Sequence, residues 1–252
     1  MSKAQATVFG VPISWIAMIS AIIAGSSIVP LFFFAEGGGY MSLGYALVPL
    51  VGLILGPYGG FIAGLIGGTL AMFIMPAAVS GGFPYVIILW AMPPLITGLA
   101  ANGKWKWIIP IYIIDVLIFN FVPYYFPGPP TYSLPPQPFY AISAYWYYIG
   151  IILLLVTGFK LPEWIRSTDK TKLALSIIIF EWISCEPMEL AAWAWTAFLF
   201  NLPPELVAII CAFGVPWQRV LTLIVEVAIG VPLIEGLRKA RLRRIPGSVW
   251  SS

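Results

Sequence analysis

The chain of 252 residues contains no histidine and only two cysteines, and it carries few charged residues of either sign. Without histidine, the usual zinc and haem sites and the Ser-His-Asp triad lose their main ligand or base. The two thiols, Cys185 and Cys211, stand alone within apolar segments. The phosphate-binding Walker motif is also absent, so this chain cannot hydrolyse ATP by itself. We therefore predict that the protein is not an enzyme and holds neither a metal nor a cofactor.

Apolar residues, by contrast, make up 60% of the chain, and its mean hydropathy is +0.95. Charged residues account for 9%, far below the roughly 25% of a typical soluble domain. The first apolar segment lacks the small-residue cleavage pattern of a signal peptide and is expected to remain as a membrane span. These features predict an all-α, polytopic helical bundle in the cell membrane, built as a single transmembrane domain over residues 1–252, with no nucleic-acid partner.

Eight apolar segments are candidate spans, and six spans remain if one pair only re-enters the membrane. They cover residues 12–34, 42–55, 58–78, 84–101, 107–126, 139–159, 172–200 and 204–237. Lysine and arginine cluster after the fourth, sixth and eighth segments, whereas the opposite loops are nearly uncharged. Because basic loops stay on the cytoplasmic side, both termini are predicted to be cytoplasmic, with residues 236–252 forming a basic tail.

The stretch 41–75 contains no charged residue and has glycine at every fourth position from Gly52 to Gly68. Glycines at this spacing lie close to one helix face, where they let a neighbouring backbone approach closely. The pair Gly56-Pro57 interrupts the series, since glycine commonly ends a helix and proline commonly starts the next. The pattern predicts two helices that meet at this pair and form a compact hairpin.

The seventh segment holds three carboxylates within an apolar stretch, Glu181, Glu186 and Glu189. An ionisable group in a membrane is costly unless it is paired, protonated or facing a polar cavity, so it marks a candidate functional site. Pro187 removes a backbone hydrogen bond here and frees a carbonyl toward such a cavity. Glu181 lies off the helix face that we assign to the site. That face carries Trp182, Glu186, Glu189 and Trp193, which suit a flat or cationic organic ligand.

Other polar groups in apolar segments extend this hypothesis. Arg219 lies near the outer side by its helical rise, where it either joins the ligand site or neutralises Glu186 or Glu189 in a buried ion pair. A proton relay through the acids is a third interpretation. Asn120 is assigned to the site, as is Tyr124, which belongs either to a pocket wall or to an aromatic belt at the interface. Roles stay open for Asp115, Glu181 and Glu226.

Small residues in the first segment and a glycine run after it are two further candidates for interaction. Ala17, Ala21 and Ala24 stand at i, i+4 and i+7, a spacing that permits close contact with another helix, either of a partner or of this chain. The glycine run predicts a mobile outer loop that can serve as a lid. Its residues are Glu36, Gly37, Gly38, Gly39 and Tyr40.

Together these features resemble the substrate-binding S component of an energy-coupling-factor (ECF) vitamin transporter. The resemblance rests on the AxxxA pattern of Ala17 and Ala21, the glycine-rich loop, the run VPLVGLILGPYGGFIAGLIGGTLA, and VPLIEGLRKA before basic residues. It implies a membrane protein that binds a vitamin-like nutrient from outside and docks to a transmembrane coupling subunit driven by cytoplasmic ATPases. By this resemblance, Ala17 and Ala21 face the coupling subunit, and residues 36–40 form the gating loop. The family usually has six spans, whereas eight segments are counted here.

The leading hypothesis is therefore the nutrient-binding component of an ECF-type importer, and the acids and tryptophans favour a thiamine-like or other cationic heterocycle. Two alternatives stay open. One is a non-transporting accessory subunit of a larger respiratory or secretion complex, in which the small-residue faces serve only for packing. The other is an ion-coupled secondary transporter that uses Glu186 and Glu189 as proton sites.

Overall fold

The computed structural model describes residues 6–33, 39–125, 142–240 and 242–250, and most of these are helical. Two short antiparallel strand pairs lie near the N-terminus: β1 (Thr7–Val8) pairs with β2 (Val11–Pro12), and β3 (Pro30–Phe33) pairs with β4 (Tyr40–Ser42). The predicted all-α class is confirmed in outline. The long helices in this part of the chain are α1 (Ile13–Ser26), α2 (Leu43–Ile74), α3 (Phe83–Ala101), α4 (Ile109–Tyr125), α5 (Tyr145–Thr157), α6 (Lys170–Phe200) and α7 (Pro204–Lys239).

Helix length and composition are compatible with a membrane protein. Two apolar helices, α1 and α5, are short, with 14 and 13 residues. α6 is long, with 31 residues, but its three glutamates make it less apolar than α2. Four helices in the described ranges are long and apolar enough to cross a membrane: Leu43–Ile74, Phe83–Ala101, Trp105–Val122 and Pro204–Lys239.

α1 is shorter than the predicted segment 12–34, because the helix ends at Ser26. A turn follows, and the chain then enters β3 at Pro30. Proline has no backbone N–H for a helix, and it drives the preceding residue, the β-branched Val29, toward an extended conformation. The first predicted span is therefore a short helix followed by a strand.

α2 folds back on itself at Gly56, where φ is 73° and ψ is 176°. This conformation favours glycine, and the next residue, Pro57, cannot donate the hydrogen bond that would continue the helix. Across the bend the two halves touch, since a Cβ atom added to Gly60 would lie 2.8 Å from the Cα atom of Gly52. The predicted hairpin at Gly56-Pro57 is confirmed.

α3 packs against both halves of α2, and the spaced glycines make this close packing possible. A Cβ atom on Gly52 would overlap the carbonyl oxygen of Pro94, and one on Gly64 would overlap the carbonyl oxygen of Trp90. Small residues allow such backbone contact, and the dispersion energy of many close atom pairs then stabilises it. The glycine series of α2 thus lets α3 pack closely against both halves of the hairpin.

The C-terminal residues complete the hydrogen bonding of the α2 hairpin. Its bend leaves the carbonyl of Leu53 without a helical partner, because Pro57 has no N–H. The backbone N–H of Val249 donates to that carbonyl at 2.9 Å, and Trp250 Nε1 donates to the carbonyl of Ile54 at 2.9 Å. Val249 and Trp250 are both buried. Part of the predicted basic tail is therefore an integral part of the fold.

Trp250→Phe tests this attachment, because it keeps an aromatic ring and removes the indole donor. The carbonyl of Ile54 then loses a partner in a buried position, and we expect the free energy of unfolding to fall by about 1–3 kcal/mol. Thermal unfolding of the detergent-purified protein measures the change. Trp107→Phe is the matched control, since Trp107 is 72% exposed and should tolerate the exchange. Equal melting temperatures for the wild type and Trp250→Phe would contradict the assigned hydrogen bond.

Candidate functional site

Arg219 on α7 lies at the centre of a buried cluster of ions. Its Nη1 atom lies 3.1 Å from Glu181 Oε1, and its Nε atom lies 2.8 Å from Glu186 Oε1. A third nitrogen, Nη2, contacts the carboxylate of Glu189. The arginine is fully buried and the three glutamates nearly so. A planar guanidinium offers donors in several directions, so one arginine can meet three carboxylates from a single helix.

Two hydroxyl groups connect this cluster to neighbouring helices. Tyr45 of α2 donates a hydrogen bond of 3.2 Å to Glu189 Oε1, and its ring centroid lies 5.7 Å from the Arg219 Cζ atom. Thr222 of α7 donates to Glu181 Oε1 at 3.4 Å. The cluster therefore joins α2, α6 and α7. Hydrogen bonds in which one partner is ionised are stronger than those between neutral groups.

Pro187 frees a carbonyl inside α6, as predicted, but that carbonyl does not face a cavity. Its normal partner would be the N–H of residue 187, four positions after Ile183. Instead the hydroxyl of Tyr112 on α4 donates a hydrogen bond to the carbonyl of Ile183. The proline thus attaches α4 to the helix that carries the glutamates, and it has a structural role.

A cavity of about 300 Å³ lies beside the ion cluster. This volume is at the lower end of the range for pockets that hold small organic molecules. Glu189 contributes to its wall and is the one carboxylate of the Arg219 cluster to do so. The rest of the wall is mostly apolar and rich in aromatic rings, with a few neutral polar groups. Its residues include Tyr40, Tyr45, Tyr85, Trp90, Trp193, Phe200, Thr196 and Gln218.

The structure separates the predicted helix face into two environments. Glu189 and Trp193 line the cavity, and the predicted gating residue Tyr40 lines it as well. Glu186 and Arg219, by contrast, are fully buried behind the wall, in the ion pair that we gave as the alternative interpretation. The sequence spacing placed Glu186, Glu189 and Trp193 correctly on one helix, but it could not tell which of them reaches the cavity.

Other residues assigned to the site lie elsewhere. Trp182 packs on Trp146 of α5, with ring centroids 4.7 Å apart. Asn120 on α4 donates to the carbonyl of Val116 at 2.8 Å and is not among the cavity-lining residues that the structure describes. The side chain of Tyr124 lies outside the described part of the chain. Trp182 and Asn120 therefore belong to helix packing, because each is directed toward a neighbouring group other than the cavity.

The predicted gating loop is described only at its end. Glu36, Gly37 and Gly38 lie outside the described residues, whereas Gly39 and Tyr40 lie within them. Tyr40 is buried, and its hydroxyl donates a 2.7 Å hydrogen bond to the carbonyl of Ser27. Burial raises the pKa of this phenol above its ordinary value, so it stays protonated as a donor at neutral pH.

Of the three alanines assigned to partner docking, two are on the surface. Ala17 and Ala21 are exposed on α1, and Gly25 continues their spacing with open space where a Cβ atom would stand. Ala24 is 2% exposed and belongs to the core, so it cannot contact a partner. The reason is geometric: the i+7 position is turned about 20° from i, toward the side of α1 that carries the buried Ser20.

Sequence reasoning left Glu181 outside the site, although it contacts Arg219 as Glu186 and Glu189 do. A helical projection treats side chains as radial, whereas the long arginine reaches along α6 from a neighbouring helix. Tyr45 was also missed, because nothing in its own segment points to a partner 144 positions away.

The chain matches no known family model, no curated protein and no solved structure, so the functional argument depends on the geometry of the ion cluster and the cavity.

Proposed function

We propose that this chain is the nutrient-binding membrane component of an ECF-type importer, and that its ligand occupies the cavity beside Glu189. The observation that supports this proposal is the meeting of three predicted residues in one wall: the acid Glu189, the ring of Trp193 and the loop residue Tyr40. An aromatic wall with a single carboxylate matches a flat organic cation, which gains both stacking and cation–π attraction.

The helical segments support an even number of spans. In the described part of the chain, the two halves of α2, together with α1 and α3 through α7, make eight helical segments, the number counted from the sequence. An even number would keep both termini on the side of the basic loops, which we assign to the cytoplasm. In this arrangement the exposed residues Ala17 and Ala21 would contact a coupling subunit within the membrane.

Thiamine is a suitable probe for the cavity, because its thiazolium ring is a flat cationic heterocycle. We expect purified wild-type protein to bind thiamine, and Glu189→Gln to bind it about tenfold to hundredfold more weakly, as charged hydrogen bonds contribute about 1.5–3 kcal/mol. Trp193→Ala should weaken binding as well. Isothermal titration calorimetry in detergent measures both effects. Glu205→Gln is the matched control, since Glu205 is exposed and is not among the residues that line the cavity. Unchanged affinity in both cavity variants would refute the assigned pocket.

Affinity purification from native membranes tests the assignment to an importer. Recovery of a transmembrane subunit together with cytoplasmic ATPases is the expected result, and Ala17→Leu with Ala21→Leu should abolish it by blocking close helix contact. A stable complex with redox or secretion subunits would instead support the accessory-subunit alternative. Ile113→Leu, an exposed apolar exchange on α4, is the control.

A further inference from the structure

Glu226 on α7 is a buried acid with no partner that the structure assigns. Its side chain is fully buried, and neither carboxylate oxygen has a hydrogen-bond partner among the described residues. It lies seven positions after Arg219, two helical turns along nearly the same face. An ionised carboxylate with neither donor nor cation is very costly in an apolar interior.

The groups around Glu226 do not supply that cation. From α6, Glu181, Glu186 and Cys185 interact with it electrostatically, and each carries negative charge or none. From its own helix the charged neighbour is Arg219, whose three side-chain nitrogens already face other carboxylates. Three further elements that pack on α7, namely α2, β3 and α5, contain no charged residue.

A charge count shows how much positive charge is missing. The cluster contains four carboxylates, those of Glu181, Glu186, Glu189 and Glu226, and one guanidinium, that of Arg219. Full ionisation would leave a formal excess of three negative charges in a buried volume. Described residues provide no arrangement of acids, cysteines or histidines that could hold a metal ion there. The remaining sources of positive charge are protons and a cation in the cavity beside Glu189.

We propose that Glu226 is a proton-binding site, and that a cation entering the cavity at Glu189 displaces this proton. The second half rests on the proposed function. Before binding, Glu226 is a neutral carboxylic acid and Arg219 is shared among the three glutamates of α6. A cation beside Glu189 takes over part of the pairing of that carboxylate. Arg219 is then available to stabilise a negative Glu226, two turns away on its own helix.

Charge and proton balance are conserved in this exchange. One positive charge enters with the ligand, and one proton leaves the O–H bond of Glu226, whose electron pair stays on the carboxylate. The combined charge of the buried cluster and its ligand is the same before and after the exchange, so the exchange adds no net charge to the apolar interior. Because a proton and the cation compete, ligand affinity should fall as the pH is lowered.

Calorimetry of thiamine binding in two buffers of different ionisation enthalpy counts the protons. By linkage we expect the wild type to release about one proton per bound cation. Glu226→Gln, which imitates the neutral acid in shape, should bind thiamine, release none and lose the dependence of affinity on pH. No proton release from the wild type, or equal release from Glu226→Gln, would overturn the exchange.

Infrared spectroscopy of the ligand-free protein separates failure of this inference from failure of the proposed function. A neutral carboxylic acid has a carbonyl stretching band distinct from that of a carboxylate. We expect such a band in the wild type and in the control Glu205→Gln, and its loss in Glu226→Gln. If thiamine does not bind, the proposed function fails while the band still decides the proton site. Absence of a Glu226-dependent band overturns the proton site whether or not a ligand binds.

Discussion

Arg219→Gln is expected to destabilise the protein by about 3–5 kcal/mol, the cost of removing one partner from a buried ion pair. The reason is the number of groups that depend on this side chain. Glu181, Glu186 and Glu189 each face one of its nitrogens, and the shorter amide cannot reach all three. Their negative charges would repel one another across a volume from which water is excluded. We expect a large fall in melting temperature, measured by thermal unfolding in detergent, and poor recovery from the membrane.

A neutralised cluster provides the decisive control for this result. If the loss comes from unpaired charge, Glu181→Gln combined with Glu186→Gln should restore much of the stability of Arg219→Gln, because two of the three carboxylates left unpaired are then neutral. Arg244→Gln removes an exposed arginine and should leave the melting temperature unchanged. A wild-type melting temperature for Arg219→Gln would show that the ion cluster does not support the fold.

Gly64→Leu is expected to disrupt the packing of α2 on α3, at a cost of about 3 kcal/mol or more, the upper end of the range for overpacking. A Cβ atom at this position would overlap the carbonyl oxygen of Trp90, which is backbone and cannot turn aside. The two helices must separate, and the packed contacts along their whole length weaken. Because α3 and α2 both line the cavity through Trp90 and Tyr45, ligand binding should be lost as well.

Gly236→Leu is the matched control for this helix contact. Gly236 is also a helical glycine, but no atom lies within 4 Å of the place where its Cβ atom would stand. Leucine has the higher helix propensity, so this exchange should be neutral or slightly stabilising in thermal unfolding experiments. If Gly64→Leu and Gly236→Leu melt at the same temperature, the close contact between α2 and α3 is not a source of stability.

The structure contains both the buried ion pair and the cavity that the two interpretations of α6 require. Glu186 belongs to a buried ion pair with Arg219, which is the structural interpretation. Glu189 contacts the same arginine and also forms part of the cavity wall, which is the ligand-site interpretation. Glu189 thus belongs to both environments, so a charge that enters the cavity interacts electrostatically with the buried cluster. This connection is the physical basis for linking ligand binding to a proton on Glu226.

Several features follow from local chemistry and were predictable from the sequence. The bend at Gly56-Pro57 is one, because a positive φ favours glycine and proline cannot donate the next helical hydrogen bond. The helix 84–101 was predicted to within one residue at its start, and the acids of α6 were recognised as costly in apolar surroundings. These predictions depend only on residues that are close together in the chain.

Only the tertiary structure decided which distant groups meet. The carbonyls that Pro57 and Pro187 leave free are paired with Val249 and Tyr112, from remote parts of the chain. Glu181, off the predicted face, joins Arg219 because a long side chain reaches along a neighbouring helix. Local chemistry determined where a polar group needs a partner, whereas the packing of helices far apart in sequence determined which residue meets that need.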